Sequence, residues 1–520
     1  MRDTHFWHEC VHRNNPFQMM RVNRYRERHV QLRSASDAAP REATMKLDRS
    51  ETLTDAHGGA PSKSERTPPR ALVLPIVLGT LLNALNSSMI AVALVDIRRA
   101  FSGGGEVDVM WLVSGLYLAT AVGQPMMGRL ADGFGAKRVF LVGLAIVLAA
   151  AALAPWAPSL GWLVAARVML GIGTSAAYPA GIAMIRAWSQ RHARGETPTS
   201  SLGAISIAAQ VAVAFGPPLG GLLVQYAGWR GVFWINVPLV IVAFVLGAAR
   251  LPADAPRAAP RRPSLREQDW LGAALFVATL ASLLSFLQTA FEAPDWPLLG
   301  ACAAFGALLV GHERRVGEPL VDVRMLAGNR PLVATYLRCI GTYMVFYAIF
   351  YALPMWLQDV KGLAARDAGL VMLPISAFGT VTTLVATRLT HRRGSRPVLV
   401  FGSAMLCVGC GVMALMSADM PVWAIVPLSI VFGIPNGFNN LGNQATLYRS
   451  APGERIGAAA GLYRTAQYVG GGLSFALVGI AFGHAASDRG LHALALSLLA
   501  VSALLLFNAA SSRHIDAAGA

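Results

Sequence analysis

The side chains in this chain that could do chemistry are polar groups set inside apolar stretches. Asn436, Asn439, Asn440 and Asn443 follow one another at i, i+3, i+4 and i+7, which on a helix makes one polar stripe. Asn83, Asn86 and Ser87 form a second group, Arg167, Thr174 and Tyr178 a third, and Tyr336, Tyr343, Tyr347 and Tyr351 a fourth. Amides, hydroxyls and a guanidinium recognise a solute by hydrogen bonding and charge; nothing in these groups makes or breaks a covalent bond. Such groups are costly in lipid, so they are expected on faces that line a cavity. Four asparagines exceed what one packing contact needs, whereas an isolated Gln288 reads as glue between helices. No carboxylate falls near the middle of an apolar stretch: Asp96, Glu292 and Asp359 all lie near ends. Cys407 and Cys410 form a CxxC with no second ligand pair, and with Cys302 and Cys339 they read as small packing residues rather than a metal or redox site. The chain has no Ser/His/Asp set, no paired carboxylates and no GxxxxGK[ST] loop, which argues against an enzyme, an ATP-driven pump and any cofactor.

The elements that position these groups must be membrane helices. The 520 residues are 54% apolar and 14% charged, with mean hydropathy +0.49, against a charged share of about 25% in soluble domains. A crossing takes about 20 apolar residues. Fourteen segments qualify, near 71–95, 109–130, 138–156, 160–184, 202–226, 231–249, 270–290, 296–312, 331–356, 366–387, 397–416, 421–443, 456–483 and 488–508. Most basic residues fall in alternate connections, among them Arg129, Lys137 and Arg138, then Arg186, Arg191 and Arg194, then Arg388, Arg392, Arg393 and Arg396. The net charge of +16 therefore reads as positive-inside topology with both termini cytoplasmic and the lipid bilayer as partner, not as nucleic-acid binding.

Residues 1–70 are polar, without apolar periodicity, and are expected to be a disordered cytoplasmic tail in which Met19, Met20 and Met45 are alternative starts. The Cys/His cluster His5, His8, Cys10 and His12 in that tail is a compositional feature, with no metal assigned. A basic, Pro-rich connector at 251–269 divides the spans into six before and eight after, and a loop at 313–330 and a tail at 509–520 complete the chain. The string RLADGFGAK at 129–137 is echoed by RLTHRRGSR at 388–396, the mark of two related halves.

Four strings carry a resemblance. The turn Gly128 to Arg138, GRLADGFGAKR, places Asp132, Gly135, Lys137 and Arg138 between the second and third spans. The fifth span holds Gly203, Ala212 and GPPLGG, in which Gly216, Pro217, Gly220 and Gly221 combine a lost backbone donor with room for close helix approach, and so code for a kink. The others are GWRGVFWINVP at 228–238 and EPLVDVR at 318–324. Over about 71–508 the chain resembles the major facilitator superfamily and, within it, the fourteen-span drug/proton antiporter branch. The resemblance implies an all-α polytopic membrane protein of major-facilitator fold: six-helix bundles at 71–250 and 331–508, with two inserted transmembrane helices at 270–312. It also implies a cavity lined mainly by spans 1, 4, 9 and 12, a cytoplasmic latch built on Asp132, a membrane arginine at Arg167 and an antiporter kink, with Ala212 departing from a usual glycine.

The first span departs further. Where the branch commonly carries an acid followed by Thr, Asn and Pro, this chain has Asn86, Ser88, Ala91 and Val95. An amide cannot carry a proton, so coupling would fall to Asp132, a peripheral acid or the substrate, and a cavity without an acid should favour neutral, zwitterionic or anionic solutes over lipophilic dications. The expected function is export of small amphipathic molecules across the inner membrane in exchange for protons. A substrate-specific transporter or facilitator without proton coupling is the alternative, and a non-transporting receptor or scaffold is a third. The resemblance allows a periplasmic adaptor and outer-membrane channel as partners.

Overall fold

Sixteen α-helices make up nearly all of the described chain. The computed structural model describes residues 70–101, 109–192, 199–254, 269–289, 294–317, 319–451, 456–483 and 485–512. The tail before residue 70, most of the 251–269 connector, Glu318 and the residues after 512 lie outside the described residues. In chain order the helices are α1 (Arg70–Ala100), α2 (Trp111–Phe134), α3 (Ala136–Leu153), α4 (Leu160–Thr174), α5 (Ala177–His192), α6 (Thr199–Trp234), α7 (Asn236–Arg250), α8 (Trp270–Thr289), α9 (Trp296–Glu313), α10 (Val323–Gly328), α11 (Arg330–Asp359), α12 (Ala365–Arg393), α13 (Ser395–Ala414), α14 (Val422–Ser450), α15 (Ile456–Phe482) and α16 (Asp488–Ser511). Among the described residues eleven helices are long and apolar enough to cross a membrane. One of these, Val211–Arg250, runs through a break in helical dihedrals at Gly228 (φ 64°), where the predicted fifth and sixth spans divide. The predicted fourth span is not one helix: it breaks at Ser175 and Ala176 into α4 and α5.

Helix ends follow local chemistry. Ser159, Asn329 and Ser487 accept hydrogen bonds from the backbone N–H groups of Trp162, Leu332 and Gly490, capping α4, α11 and α16. Gly135 (φ 105°) separates α2 from α3, and Gly394 (φ 82°) separates α12 from α13. These two glycines hold the same place in the 129–137 and 388–396 strings, so the sequence echo is also a structural one.

Burial ranks the helices by depth. The apolar windows of α1 and α11 are 72% and 78% buried, while that of α8 is 17% buried; α1 and α11 are therefore central and α8 peripheral. The α8–α9 hairpin packs through α8 on α2 and α15. The closest inter-element packing includes α1 on α6, α12 on α6 and α14, and α15 on α2 and α11. Large apolar side chains such as Val142, Trp162, Val242, Phe401 and Phe507 stay exposed on outer faces, as lipid-facing surfaces require.

The fifth-span glycines act by close approach. A Cβ on Gly216 would lie 1.8 Å from Ser88 Oγ, one on Gly220 2.5 Å from the Met89 carbonyl oxygen, and one on Gly221 2.4 Å from the Ala365 carbonyl oxygen. Gly369 on α12 meets the Pro217 carbonyl oxygen at 2.4 Å in the same sense. Pro217 and Pro218 stay within helical dihedrals, and the departure comes later, at Gly228. Gly203 lies in α6, and its surroundings are outside the described residues.

Candidate functional site

A cavity of about 370 Å³ sits between the central helices. Asn83 and Ser87 of α1, Thr174, Tyr178 of α5, Tyr343 and Tyr347 of α11, and Asn436 and Asn440 of α14 line it. The wall has more contributors than spans 1, 4, 9 and 12. Gln124 of α2, Val213 of α6, Thr383 of α12 and, on α15, Arg464, Gln467 and Tyr468 also face it. Among the described residues Arg464 is the sole charged side chain in the lining. Its guanidinium lies 4.7 Å from the Tyr178 ring centre, and its Nη1 donates to Gln467 Oε1 at 3.4 Å. Polar wall groups brace one another: Asn83 Nδ2 donates to Thr174 Oγ1 at 2.9 Å, Gln124 Nε2 to Tyr468 Oη at 2.9 Å, and Gln467 Nε2 to Tyr343 Oη at 2.9 Å.

One side of the cavity is sealed. On α1 every residue from Met89 to Val95 is fully buried, and on α11 Ala348 to Met355 are buried around the cluster Tyr117, Tyr347, Tyr351 and Phe475. Tyr351 Oη donates to the Ser87 carbonyl and lies 3.1 Å from Tyr117 Oη, so Tyr351 belongs to the seal and not to the wall. Gln358 Nε2 donates to the Val92 carbonyl at 3.0 Å. Beyond it, Arg98 Nη2 lies 2.7 and 2.5 Å from the Asp359 carboxylate oxygens, joining α1 to α11.

Three of the asparagines expected at the cavity face elsewhere. Asn86 is fully buried; its amide pairs with that of Asn236, with Nδ2–Oδ1 distances of 2.6 and 3.0 Å. The residue standing where relatives of the resembled branch carry an acid is thus matched by an amide from the GWRGVFWINVP string. Asn443 accepts from Arg338 Nε at 3.2 Å, and Asn508 and Thr335 accept from Arg338 Nη1 and Nη2 at 3.0 and 3.1 Å, a knot of α11, α14 and α16. Asn439 packs against Gly402 of α13, with Ser403 Oγ 3.4 Å from its Oδ1. A helix turns about 100° per residue, so Asn436 and Asn440 form one flank of the stripe and Asn439 and Asn443 the other, about 60° away. Only the first flank reaches the cavity.

Arg167 is fully buried and lies outside the lining. Its Nε donates to the Leu112 carbonyl at 3.0 Å and its Nη1 to the Asn86 carbonyl at 3.2 Å, while Nη2 has no partner among the described residues. It ties α4 to α2 and α1 through backbone carbonyls and not through an acid.

In the 128–138 turn the ionic pattern differs from a latch between Asp132 and its own cations. Lys137 Nζ donates to the Ala248 and Leu251 carbonyls, both at 2.8 Å, at the C-terminus of α7, and Asp254 accepts from the Lys137 and Arg138 backbone N–H groups at 2.9 and 3.2 Å. This is a reciprocal staple of the α3 start and the α7 end, with charges of the sign each helix terminus favours. Gly135 fits it: a Cβ there would lie 2.4 Å from the Asp254 carboxylate. Asp132 and Arg138 are exposed, and Asp132 has no ion pair among the described residues. Gly128 meets Pro179 at ordinary van der Waals distance.

One ionisable cluster lies beside the inserted hairpin. His312 Nε2 is 2.6 Å from Asp269 Oδ1, and Glu313, one residue beyond the predicted 296–312 span, is fully buried. Burial, with Asp269 nearby, pushes the Glu313 carboxyl from the ordinary 4.5 up to about 6. Nearby, Arg129 Nη2 donates to the Pro319 carbonyl at 2.7 Å, tying α2 to the segment that follows α9.

This arrangement can be set beside known proteins. The family model of the Major Facilitator Superfamily matches residues 76–475. The uncharacterized MFS-type transporter YwoD of Bacillus subtilis (strain 168) is 34% identical over 420 residues, which cover 80% of this chain and 90% of that protein. The multidrug efflux pump LfrA of Mycolicibacterium smegmatis is 29% identical over 439 residues, 82% of this chain and 83% of that protein. The crystal structure of the nucleoside transporter NupG superposes with a TM-score of 0.59 at 14% identity, over 85% of this chain and 99% of that one, a likeness of fold. With a family match over most of its length and a relative 34% identical over 90% of that relative's length, the chain belongs to the major facilitator superfamily: it is a multi-pass membrane transporter and not an enzyme.

Proposed function

We propose that this transporter exports small amphipathic molecules across the cytoplasmic membrane by alternating access, in the fourteen-span arrangement of the drug/proton antiporters. Two bundles of six spans each, α1 to α7 with α4 and α5 forming one span, and α11 to α16, flank the α8–α9 hairpin, and both termini lie in the cytoplasm. The carrying observation is the central cavity, with α1 and α11 packed together and paired at Arg98–Asp359 on one side of it; in this reading its mouth lies on the opposite side, toward the arginine-rich turns. Under the positive-inside rule that mouth faces the cytoplasm, so the structure is the state that loads an exporter. Aromatic and amide lining suits compounds with an apolar body and a polar handle. LfrA, at 29% identity, is named a multidrug efflux pump, which supports the direction of transport.

Proton exchange is the first reading of the driving force. A facilitator without proton coupling is favoured by one observation, the absence of Asp, Glu or His from the described lining. The test is an acid-inside pH gradient in inside-out vesicles, reported by an acridine dye, with Arg167→Ala as control. Drug-induced proton release by the parent and not by the variant supports antiport; uptake of labelled drug without proton movement selects the facilitator.

A further inference from the structure

We infer that the cavity is built for a flat aromatic anion and that Arg464 anchors its negative charge. This deepens the export reading and rests on it. Three arginines lie deep in the helical part of the molecule, and they differ in where their donors go. Arg167 spends two of its nitrogens on backbone carbonyls, and Arg338 uses three nitrogens on Asn443, Asn508 and Thr335. Arg464 faces the cavity with only neutral partners, a long hydrogen bond to Gln467 and the Tyr178 side chain, and no carboxylate lies within 4.0 Å of it among the described residues. A guanidinium does not give up its proton, and its remaining N–H groups form a planar fork suited to a carboxylate, sulfonate or phosphate. The Tyr178 face under it holds the cation without neutralising it.

The rest of the wall describes the body of the ligand. Phe346, Tyr343, Tyr347 and Tyr468 give aromatic surface on the same cavity, and Asn436 and Asn440 present amides with no hydrogen-bond partner among the described residues. At about 370 Å³ the space falls in the range of small-molecule sites, roughly 300–1,000 Å³. The charge also bears on the driving force. In a cell negative inside, outward movement of a monoanion is downhill by about 50-fold in concentration per 100 mV, equivalent to about 2.3 kcal/mol, so an anion exporter does not need the acid that Asn86 replaces.

The experiment uses the purified full chain in phosphatidylcholine nanodiscs for binding and in phosphatidylcholine liposomes for counterflow. Three probes share one ring system and differ in charge: naphthalene-2-sulfonate, naphthalene-2-sulfonamide and 2-naphthyltrimethylammonium. The parent should bind the sulfonate at least about tenfold more tightly than the ammonium. Arg464→Gln should weaken the sulfonate by about 10- to 100-fold, the scale of one charged hydrogen-bonded contact, and leave the sulfonamide within about threefold; Arg464→Lys should recover part of the loss. The parent's own charge preference needs no variant to fold, and retained sulfonamide binding reports a folded Arg464→Gln protein. Equal or tighter binding of the ammonium, no binding of the sulfonate, or an equal loss of sulfonate and sulfonamide in Arg464→Gln overturns the inference. Charge-selective binding without counterflow leaves the anion site standing and removes the transport reading, while counterflow of the ammonium alone does the reverse.

Discussion

Breaking the Arg98–Asp359 pair should open the sealed end of the cavity. Arg98 Nη2 sits 2.7 and 2.5 Å from the two carboxylate oxygens, and the side chains are 22% and 8% exposed. A hydrogen bond to a charged group contributes roughly 1.5–3 kcal/mol. Asp359 also accepts from the Ala486 N–H at 3.1 Å and has Arg99 at 4.0 Å, so loss of Arg98 leaves it partly compensated and the cost falls in the lower part of that range, about 2 kcal/mol. Opening this end separates α1 from α11, so the pair stabilises only the sealed state, and its whole contribution becomes a population shift of about 30-fold. Val92 is fully buried under the seal, with its carbonyl held by Gln358, and Val92→Cys in a chain stripped of native cysteines is therefore a reporter. In detergent, a charged maleimide should modify that cysteine about 30-fold faster in Arg98→Gln or Asp359→Asn. The double variant should be little faster than the faster single one, because both remove the same interaction. Labelling unchanged within about threefold, or two fully additive effects, would refute the assignment of this pair as the closing contact.

The two flanks of the asparagine stripe should separate in assay. Asn443→Ala orphans Arg338 Nε and should cost about 1–3 kcal/mol of stability, seen as a lower half-inactivation temperature in size-exclusion chromatography. Asn440→Ala should hold stability within about 0.5 kcal/mol and reduce transport; the opposite pattern would reverse the assignment. The raised Glu313 carboxyl means that the folded chain holds that proton more tightly than the unfolded chain, so stability from this group is greatest below about pH 4.5 and is lost as pH rises through about 6, by up to about 2 kcal/mol. Glu313→Gln should flatten that slope in thermal unfolding scans, and identical slopes in parent and variant would disprove the role. Gly221→Ala drives a Cβ into the Ala365 carbonyl and the Arg366 backbone, which cannot rotate away; it should speed labelling of the Val92→Cys reporter by about tenfold. Gly300→Ala, with nothing within 4 Å, should match the parent in the same assay.

Helix content, the repeat and the packing role of the fifth-span glycines could all be read from the chain, because each depends on local spacing. Side-chain direction could not. The i, i+3, i+4, i+7 pattern identified a polar stripe on α14 but not that its width spans two neighbours, the cavity on one flank and Arg338 with α13 on the other. Two arginines escaped notice for a related reason. Arg338 and Arg464 sit within apolar spans, and an ionisable residue at that depth is itself a signal of function; spacing alone does not say which of the two faces a cavity. Asp254 was invisible because its contacts at Lys137 and Arg138 are to backbone N–H groups more than 110 residues away, and no periodicity encodes those.

The polar contacts divide into those that the proposed alternating access would break and those that it would keep. The sealed side is closed by backbone-to-backbone packing of α6 on α12 at Gly221 and Gly369 and by the Arg98–Asp359 and Gln358–Val92 contacts of α1 with α11, all of them across helices that must part when the cavity opens there. Packed surfaces of this kind are either in contact or separated, which makes the closure two-state. The internal ties of the first half, Asn86 with Asn236, Arg167 with Leu112 and the Lys137–Asp254 staple, run within α1 to α7 and its end, and so survive a rigid-body movement. Asp132 is exposed and has no ion pair among the described residues. Under the proposed alternating access the Arg98–Asp359 pair favours closure at its own end, and a few kcal/mol from a bound solute or the membrane potential is enough to shift that balance.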